Sequence, residues 1–389
     1  MLKKANDISY RDKPFNVLNN FLKNLFRKLF NLNYKPLTLQ ELKKRPYTAG
    51  AEVINICNAN CSFCGYGKGE KGKDADPRVK GKIDTEALYH LVDIYSKNGG
   101  GNFSLSPILG EVSAHPDWLN LVKNIKKYKN IKTTSCFTNA TLLHRHGFKE
   151  ILLSGLDTMT ISTALGNKEQ YRRLYGIDMY EQVKSNIINI LKKNNELNNP
   201  VEIYLALRID KPYKKFFSSV VYKKIKSLIK PQNISILESW DDFRGIIKQE
   251  GLPKGHIFKK LKFNEERKSI PCYALYRKLQ ILTDGTIQGC SCRIEPELWG
   301  GNIKNYNNLH DAWNDKQIES IRNDWFKGKL KECCKQCSHY QPYTEIFRDG
   351  YIKAHLKTFL GKFFDKKIRV GGKTGKIRIE SDESNSSQF

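Results

Sequence analysis

The sequence predicts an α/β protein: a partial (β/α)6 TIM-like barrel, a cysteine-rich C-terminal module, and an amphipathic helix at each end. Three observations carry this. Apolar runs of strand length alternate with helical patterns between about residues 48 and 240, and such alternation implies a parallel sheet covered by helices. The ten cysteines are grouped, three within 57–64 and six within 272–337, with Cys136 alone. The 389 residues, 39% of them hydrophobic, can bury a large core and still carry additions.

The elements follow in order. Residues 1–46 form an extension in which Phe15, Leu18, Leu22, Leu25 and Leu29 share one helical face, opposed by Asn16, Asn19, Lys23, Arg27 and Lys28. Such a helix packs on its own domain or lies on an anionic membrane surface. The barrel occupies 47–240. Its expected strands are Glu52 to Ile56, Asn102 to Leu105, Lys132 to Phe137, Thr158 to Ser162, Val201 to Ile209 and Asn233 to Glu238. Expected helices run from Asp84 to Asn98, Trp118 to Tyr128, Lys149 to Ser154, Met179 to Asn194 and Phe216 to Ile229. Six strands suit a partial barrel better than a closed one, and functional residues then belong at the strands' C-terminal ends. Polar residues 241–270 read as a linker and 271–345 as the cysteine module. Residues 346–369 carry a second amphipathic helix, with Ile352, Leu356, Phe359, Leu360 and Phe363 on one side, and 370–389 read as a disordered tail.

The formal net charge of +27 points to an anionic partner such as nucleic acid, a phosphorylated substrate or lipid, or to the composition of a Lys- and Asn-rich host. The basic residues are spread along the chain and are not interleaved with aromatics in an RNA-binding pattern, so no specific nucleic acid is expected. No apolar run approaches bilayer length, and the first residues lack a secretory pattern. A cytoplasmic location, with or without contact to a membrane surface, is expected. There the cysteines read as metal ligands or reactive thiols.

Cys57, Cys61 and Cys64 follow the first expected strand in a CxxxCxxC spacing. Three thiolates on one tight loop can hold three irons of a cubane and leave the fourth open to an amine and a carboxylate. Structural zinc is the alternative, although a closed site wants four ligands and usually CxxC pairs.

These residues resemble the radical S-adenosylmethionine (SAM) superfamily, and the resemblance extends over about 48–240. Phe63 matches the aromatic residue before the third cysteine. Gly110-Glu111, with His115-Pro116 after it, is similar to the Gly-Gly-Glu motif, with Leu109 in place of the first glycine. Thr138-Asn139 resembles Thr-Asn-Gly, with Ala140 in place of the last glycine. The resemblance implies a [4Fe–4S] cluster on the three cysteines. It also implies SAM held by Phe63, Gly110, Glu111, Asn139, Ser162 and, less directly, Arg208, with Glu111 accepting from the cofactor's ammonium.

In the C-terminal module, Cys272 is followed by twelve residues, Gly285, four residues and Cys290, and then by the distant pair Cys334 and Cys337. This is similar to the auxiliary-cluster modules called twitch and SPASM. It implies one auxiliary [4Fe–4S] cluster on Cys272, Cys290, Cys334 and Cys337, flanking a hairpin that turns at Asp284-Gly285. Cys292 and Cys333 are spare thiols, and Cys292 could replace Cys290. A four-cysteine zinc site remains the alternative.

The family's chemistry is reductive cleavage of SAM to a 5′-deoxyadenosyl radical that takes hydrogen from a substrate. It implies a reductant such as flavodoxin or ferredoxin. An auxiliary cluster fits oxidation, such as alcohol dehydrogenation or crosslink formation, while some relatives perform epimerisation. The Lys-rich segment Tyr66 to Lys82 reads either as a solvated loop or as a cover that meets a carbohydrate-like or phosphorylated small molecule. A peptide maturase is the alternative, and a zinc-stabilised nucleic-acid-binding protein a distant one. The module holds few large aliphatic side chains, so its fold is expected to depend on its metal.

Overall fold

The computed structural model describes residues 38–66, 76–106, 108–258, 269–335, 337–343 and 369–370. The helix expected over Phe15 to Leu32, most of the Lys-rich segment after Tyr66, the helix within 346–369 and the tail beyond 370 lie outside the described residues.

Strands β1 (Thr48–Ala51), β2 (Gly101–Ser104), β3 (Ile131–Thr138), β4 (Thr158–Thr163), β5 (Glu202–Leu207) and β6 (Ile234–Ile236) pair in parallel and in sequence order. The module adds β7 (Lys278–Ile281), β8 (Thr286–Gln288) and β9 (Trp299–Asn302), and β10 (Arg369–Val370) lies beside β6. The order is β10-β6-β5-β4-β3-β2-β1-β7-β8-β9, one unclosed sheet. β7 pairs with β1 in parallel, while β7/β8 and β8/β9 are antiparallel. Barrel and module therefore share one ladder. The expected hairpin turns at Gly285, where φ is 85°.

The covering helices are α1 (Leu39–Lys44), α2 (Thr85–Lys97), α3 (Trp118–Lys126), α4 (Phe148–Leu152), α5 (Lys168–Tyr175), α6 (Tyr180–Glu196), α7 (Lys214–Phe217) and α8 (Val220–Lys226). α2 starts where expected because the Asp84 carboxylate accepts from the amides of Glu86 and Ala87, two donors a helix start leaves unpaired. It buries Leu88, Leu91, Val92 and Tyr95, and α6 buries Val183, Ile187, Ile190 and Leu191. In the module, α9 (Leu309–Trp313), α10 (Lys316–Phe326) and α11 (Glu332–Lys335) follow β9. The N-terminal extension reaches them: Trp313 Nε1 donates to the Leu42 carbonyl of α1 at 2.8 Å.

Five expectations need correction. The first strand lies at 48–51, not 52–56. Gly50 sits where a Cβ would come within 2.5 Å of the Ser104 carbonyl, and this close approach sets the β1/β2 register. The chain stays extended beyond β1, with Glu52 N bonded to Ile281 O at 2.9 Å. The helix expected from Phe216 to Ile229 breaks in two, because Ser219 Oγ caps α8 by accepting from Tyr222 N at 3.1 Å. Helix α5 was not anticipated. Residues 241–258, read as part of a linker, pack inward: Trp240, Ile247 and Leu252 form a buried cluster against Phe63 and Phe243. Finally, the module is rich in buried apolar side chains and shares the barrel's core. Leu279, Ile281, Ile287, Trp313, Ile318 and Trp325 belong to the same buried cluster as the barrel residues.

Candidate functional site

The cysteine loop leaves the end of β1 and is held in place by the end of a helix. The last carbonyls of α5 have no partner inside the helix. Asn60 N donates to Tyr175 O at 3.0 Å and Ser62 N to Leu174 O at 2.8 Å. Ser62 Oγ reaches the Gly251 carbonyl at 2.6 Å. Cys64 N closes a turn on Cys61 O at 3.2 Å. The Cys57 thiol is pushed up to about 11 by desolvation, with the charges of Glu111 and Cys64 adding to the rise. Thiolates on this loop therefore call for a cationic partner.

The loop after β2 lies against the approach to Cys57. A Cβ on Gly110 would come within 2.1 Å of the Ile54 carbonyl, so only glycine fits, and Glu111 N donates to Ile56 O at 3.0 Å. Leu109, which stands in place of a glycine, packs with Tyr66, Leu282 and Ile294, while its amide donates to Glu52 Oε1 at 3.2 Å. Glu52 is fully buried and pairs with Arg78 at 2.7 Å, and Arg78 also holds Asp76 at 2.7 Å.

Glu111 is buried and already engaged. Its Oε1 accepts from Ser113 N (3.1 Å), Ser113 Oγ (2.6 Å) and Thr138 Oγ1 (2.5 Å), and its Oε2 accepts from Asn139 N at 2.6 Å. Glu111 thus ties the loop after β2 to the loop after β3. Burial raises its pKa, and only hydrogen bonds oppose the rise. A buried carboxylate with no cation beside it among the described residues fits a bound ammonium, for which Oε2 retains a lone pair. Asn139 Nδ2 donates to Asn58 Oδ1 in the cysteine loop at 3.1 Å. Ala140 has φ 65°, the left-handed conformation that glycine adopts without cost.

Phe63, Ser162 and Arg208 come together on the other side of the loop. The Arg208 guanidinium lies 4.3 Å from the Phe63 ring centroid, and Nη1 donates to Ser162 Oγ at 2.5 Å. Its buried Nε has no acceptor among the described residues. Tyr175 and Trp240, which the sequence analysis did not select, pack edge-on to Phe63 at 5.4 and 5.6 Å. Tyr175 OH also donates to the Ser162 carbonyl at 2.9 Å.

In the module, Cys290, Cys334 and Cys337 are buried and Cys272 is nearly so. Cys272 lies within electrostatic range of Cys337 and Cys292, and Cys290 within range of Cys292, Cys272 and Cys334. Cys292 N lies 3.3 Å from Cys290 Sγ, and Cys333 Sγ lies 3.9 Å from Cys334 Sγ. Among the described residues no three His, Cys, Asp or Glu side chains converge as for a single ion, the arrangement a closed zinc site needs. A cubane is wider, since each thiolate binds its own iron.

The radical SAM superfamily model matches residues 51–203, and the iron–sulfur cluster-binding domain called SPASM matches 272–338. The chain belongs to the radical SAM superfamily. As a radical SAM protein it uses a [4Fe–4S] cluster and SAM, and the SPASM domain brings auxiliary iron–sulfur ligation. The zinc-stabilised nucleic-acid-binding alternative is set aside on this ground. Curated relatives include the probable GTP 3′,8-cyclase of Saccharolobus islandicus (strain M.14.25 / Kamchatka #1), 30% identical over 133 residues, 34% of this chain and 39% of that protein. Another is the probable GTP 3′,8-cyclase of Methanothermobacter thermautotrophicus, 28% identical over 156 residues, 40% of this chain and 46% of that one. The matches thus span less than half the length of these relatives.

Among solved structures, Streptococcus suis SuiB bound to precursor peptide SuiA has a TM-score of 0.52 at 17% identity, covering 95% of this chain and 83% of that one. The enzyme anSMEcpe with bound AdoMet has a TM-score of 0.51 at 15% identity, covering 82% and 97%. These likenesses show the fold. No helix among the described residues is long and apolar enough to cross a membrane.

Proposed function

We propose that this radical SAM enzyme takes hydrogen from a polyhydroxylated small molecule that carries an anionic group, with oxidation or epimerisation as the outcome. The observation behind this reading is the face of the sheet opposite its helix-covered core. On β4 and β5 the residues Met159, Ile161, Ile203, Leu205 and Leu207 are buried in the helix-covered core, while Thr158, Thr160, Ser162 and Tyr204 lie half-exposed on the opposite face. β3 repeats the pattern with Thr133 and Ser135 and adds Phe137, 51% exposed, on the same face. Hydroxyls that can both donate and accept suit a polyol, and an exposed ring offers a face for its C–H groups.

Lys278 supplies the anion's partner. It is in register with Thr48, on the same face as Gln280, and lies across Gly50, where a Cβ would come within 2.5 Å of Lys278 Cε. Burial, aided by the charge of Arg277, pulls its amine down to about 7, and among the described residues it has no carboxylate partner. A bound phosphate or carboxylate would supply the missing charge. The GTP-named relatives are compatible with a phosphorylated substrate.

In this reading Cys57, Cys61 and Cys64 hold the first cluster and Cys272, Cys290, Cys334 and Cys337 the auxiliary one. When bound, the first cluster and SAM supply a 5′-deoxyadenosyl radical. Glu111 receives the cofactor's ammonium, Phe63 and Asn139 line its site, and Ser162 and Arg208 meet its ribose or carboxylate. Flavodoxin or ferredoxin serves as reductant in a cytoplasmic setting. The test is anaerobic incubation of the reduced, iron-loaded protein and SAM with deuterated sugar phosphates, nucleotides and peptides. Deuterium should appear in 5′-deoxyadenosine with a phosphorylated polyol. Deuterium transfer from peptides alone would replace this reading with peptide maturation.

A further inference from the structure

Arg293 is 1% exposed and lies three residues after Cys290. Its Nη2 donates to Asp241 Oδ1 at 2.6 Å. The other oxygen of Asp241 accepts from Ser338 N and Ser338 Oγ, both at 2.7 Å, and Ser338 directly follows Cys337. One carboxylate thus holds both the guanidinium and the Cys337 loop. The Phe243 ring lies 4.7 Å from the guanidinium and shields it from water. Two donors are left over: among the described residues Arg293 Nε and Nη1 have no nitrogen or oxygen acceptor, and Glu295 Oε1, at 3.6 Å from Nη1, is beyond hydrogen-bond reach. Buried donors need a partner, and the Cys337 thiol is beside the guanidinium, within reach of both its charge and its hydrogen bonding.

We propose that Arg293 directs these free N–H groups at the sulfur atoms of the auxiliary cluster beside Cys337 and, opposed by Asp241, sets that cluster's reduction potential. The proposal rests on the ligand set given above. Reduction adds one electron, and so one negative charge, to the cluster. A nearby cation stabilises the reduced form, an anion the oxidised form, and both act strongly where water is excluded. Hydrogen bonds to cluster sulfurs act in the same direction as the cation. Arg293 is a positioning and tuning residue, and its partner Asp241 belongs to the segment after β6. The potential is therefore coupled to the contact between barrel and module.

Opposite signs distinguish this role from a structural one. The Cys57→Ala, Cys61→Ala, Cys64→Ala protein isolates the auxiliary cluster, and its potential is read by redox titration followed by electron paramagnetic resonance. Adding Arg293→Gln should lower the equilibrium constant for reduction about tenfold, equivalent to ~59 mV for one electron. Asp241→Asn should shift the potential upward, and Arg293→Lys should hold it near the parent value. The proposal fails if Arg293→Gln and Asp241→Asn shift it in the same direction or leave it unchanged while iron content stays constant. If Arg293→Gln does not retain iron, Asp241→Asn decides, and a potential that does not rise overturns the proposal. A parent protein with no iron would overturn the ligand set and this proposal together, and the iron count separates that result from an unshifted potential.

Discussion

Replacing Glu111 separates the tie between two loops seen in the structure from the ammonium contact proposed for the same carboxylate. In Glu111→Ala, the Ser113 and Thr138 hydroxyls can rotate to other acceptors, but the amides of Ser113 and Asn139 cannot. Both residues are buried, 2% and 8% exposed. Each orphaned amide costs about 1–3 kcal/mol, partly offset by relief of the burial that raises the Glu111 pKa. A net loss of about 2–4 kcal/mol is expected, read as a lower denaturant midpoint for iron-loaded protein. Glu111→Gln keeps the shape and one oxygen acceptor, so stability should fall by less than about 1.5 kcal/mol. Its amide no longer offers a charge to an ammonium, and SAM affinity should drop by about 1.5–3 kcal/mol, or roughly 10- to 150-fold. Equilibrium binding of SAM to each variant completes the test. A stable Glu111→Ala would refute the tie between the two loops, and wild-type SAM affinity in Glu111→Gln would refute the ammonium contact.

The wild-type protein should hold about eight irons, and Cys57→Ala, Cys61→Ala, Cys64→Ala about four, with no 5′-deoxyadenosine formed; SAM cleavage by that variant would show the first ligand set to be wrong. Cys334→Ala with Cys337→Ala should remove the auxiliary iron and loosen the segment around 332–343, while the sheet and helices α9 and α10 stay protease-resistant on their apolar core. Digestion of β7 to β9 would contradict that. The Lys278 pKa is lower in the folded chain than in the unfolded one, so between about pH 7 and 10 the unfolded state binds more protons and this residue's contribution to stability rises with pH. The Tm difference between wild type and Lys278→Met should therefore shift in favour of wild type across that window, and a pH-independent difference would count against the burial of the amine.

The parts legible in sequence were those written locally. The CxxxCxxC spacing, Gly110-Glu111 and the Asp284-Gly285 turn each lie within a few residues, and the turn falls where expected. Helix α5 had readable ends, since Asn167 caps it and Gly176 terminates it. Its Lys, Glu, Gln and Arg content hid the apolar stripe of Tyr171, Leu174 and Tyr175. Tyr175 and Trp240 went unselected for a different reason: they meet Phe63 only after the strands are arranged. The Asp241–Arg293 pair spans 52 positions, a separation at which charge complementarity cannot be seen along the chain. Leu109 departs from the motif's first glycine, and the structure gives it an apolar cluster to fill.

The parallel pairing of β1 with β7 acts as a ruler. Cys57 follows one strand and Cys272 precedes the other, so the distance between the two cysteine sites is counted out in ladder rungs. A slip of one residue would move them by about 3.3 Å and turn Lys278 and Gln280 toward the helices. Leu279 and Ile281, buried beside Ala49 and Ala51, oppose such a slip. The side chains that hold the sheet in register therefore also set the spacing of the two clusters proposed for those cysteines.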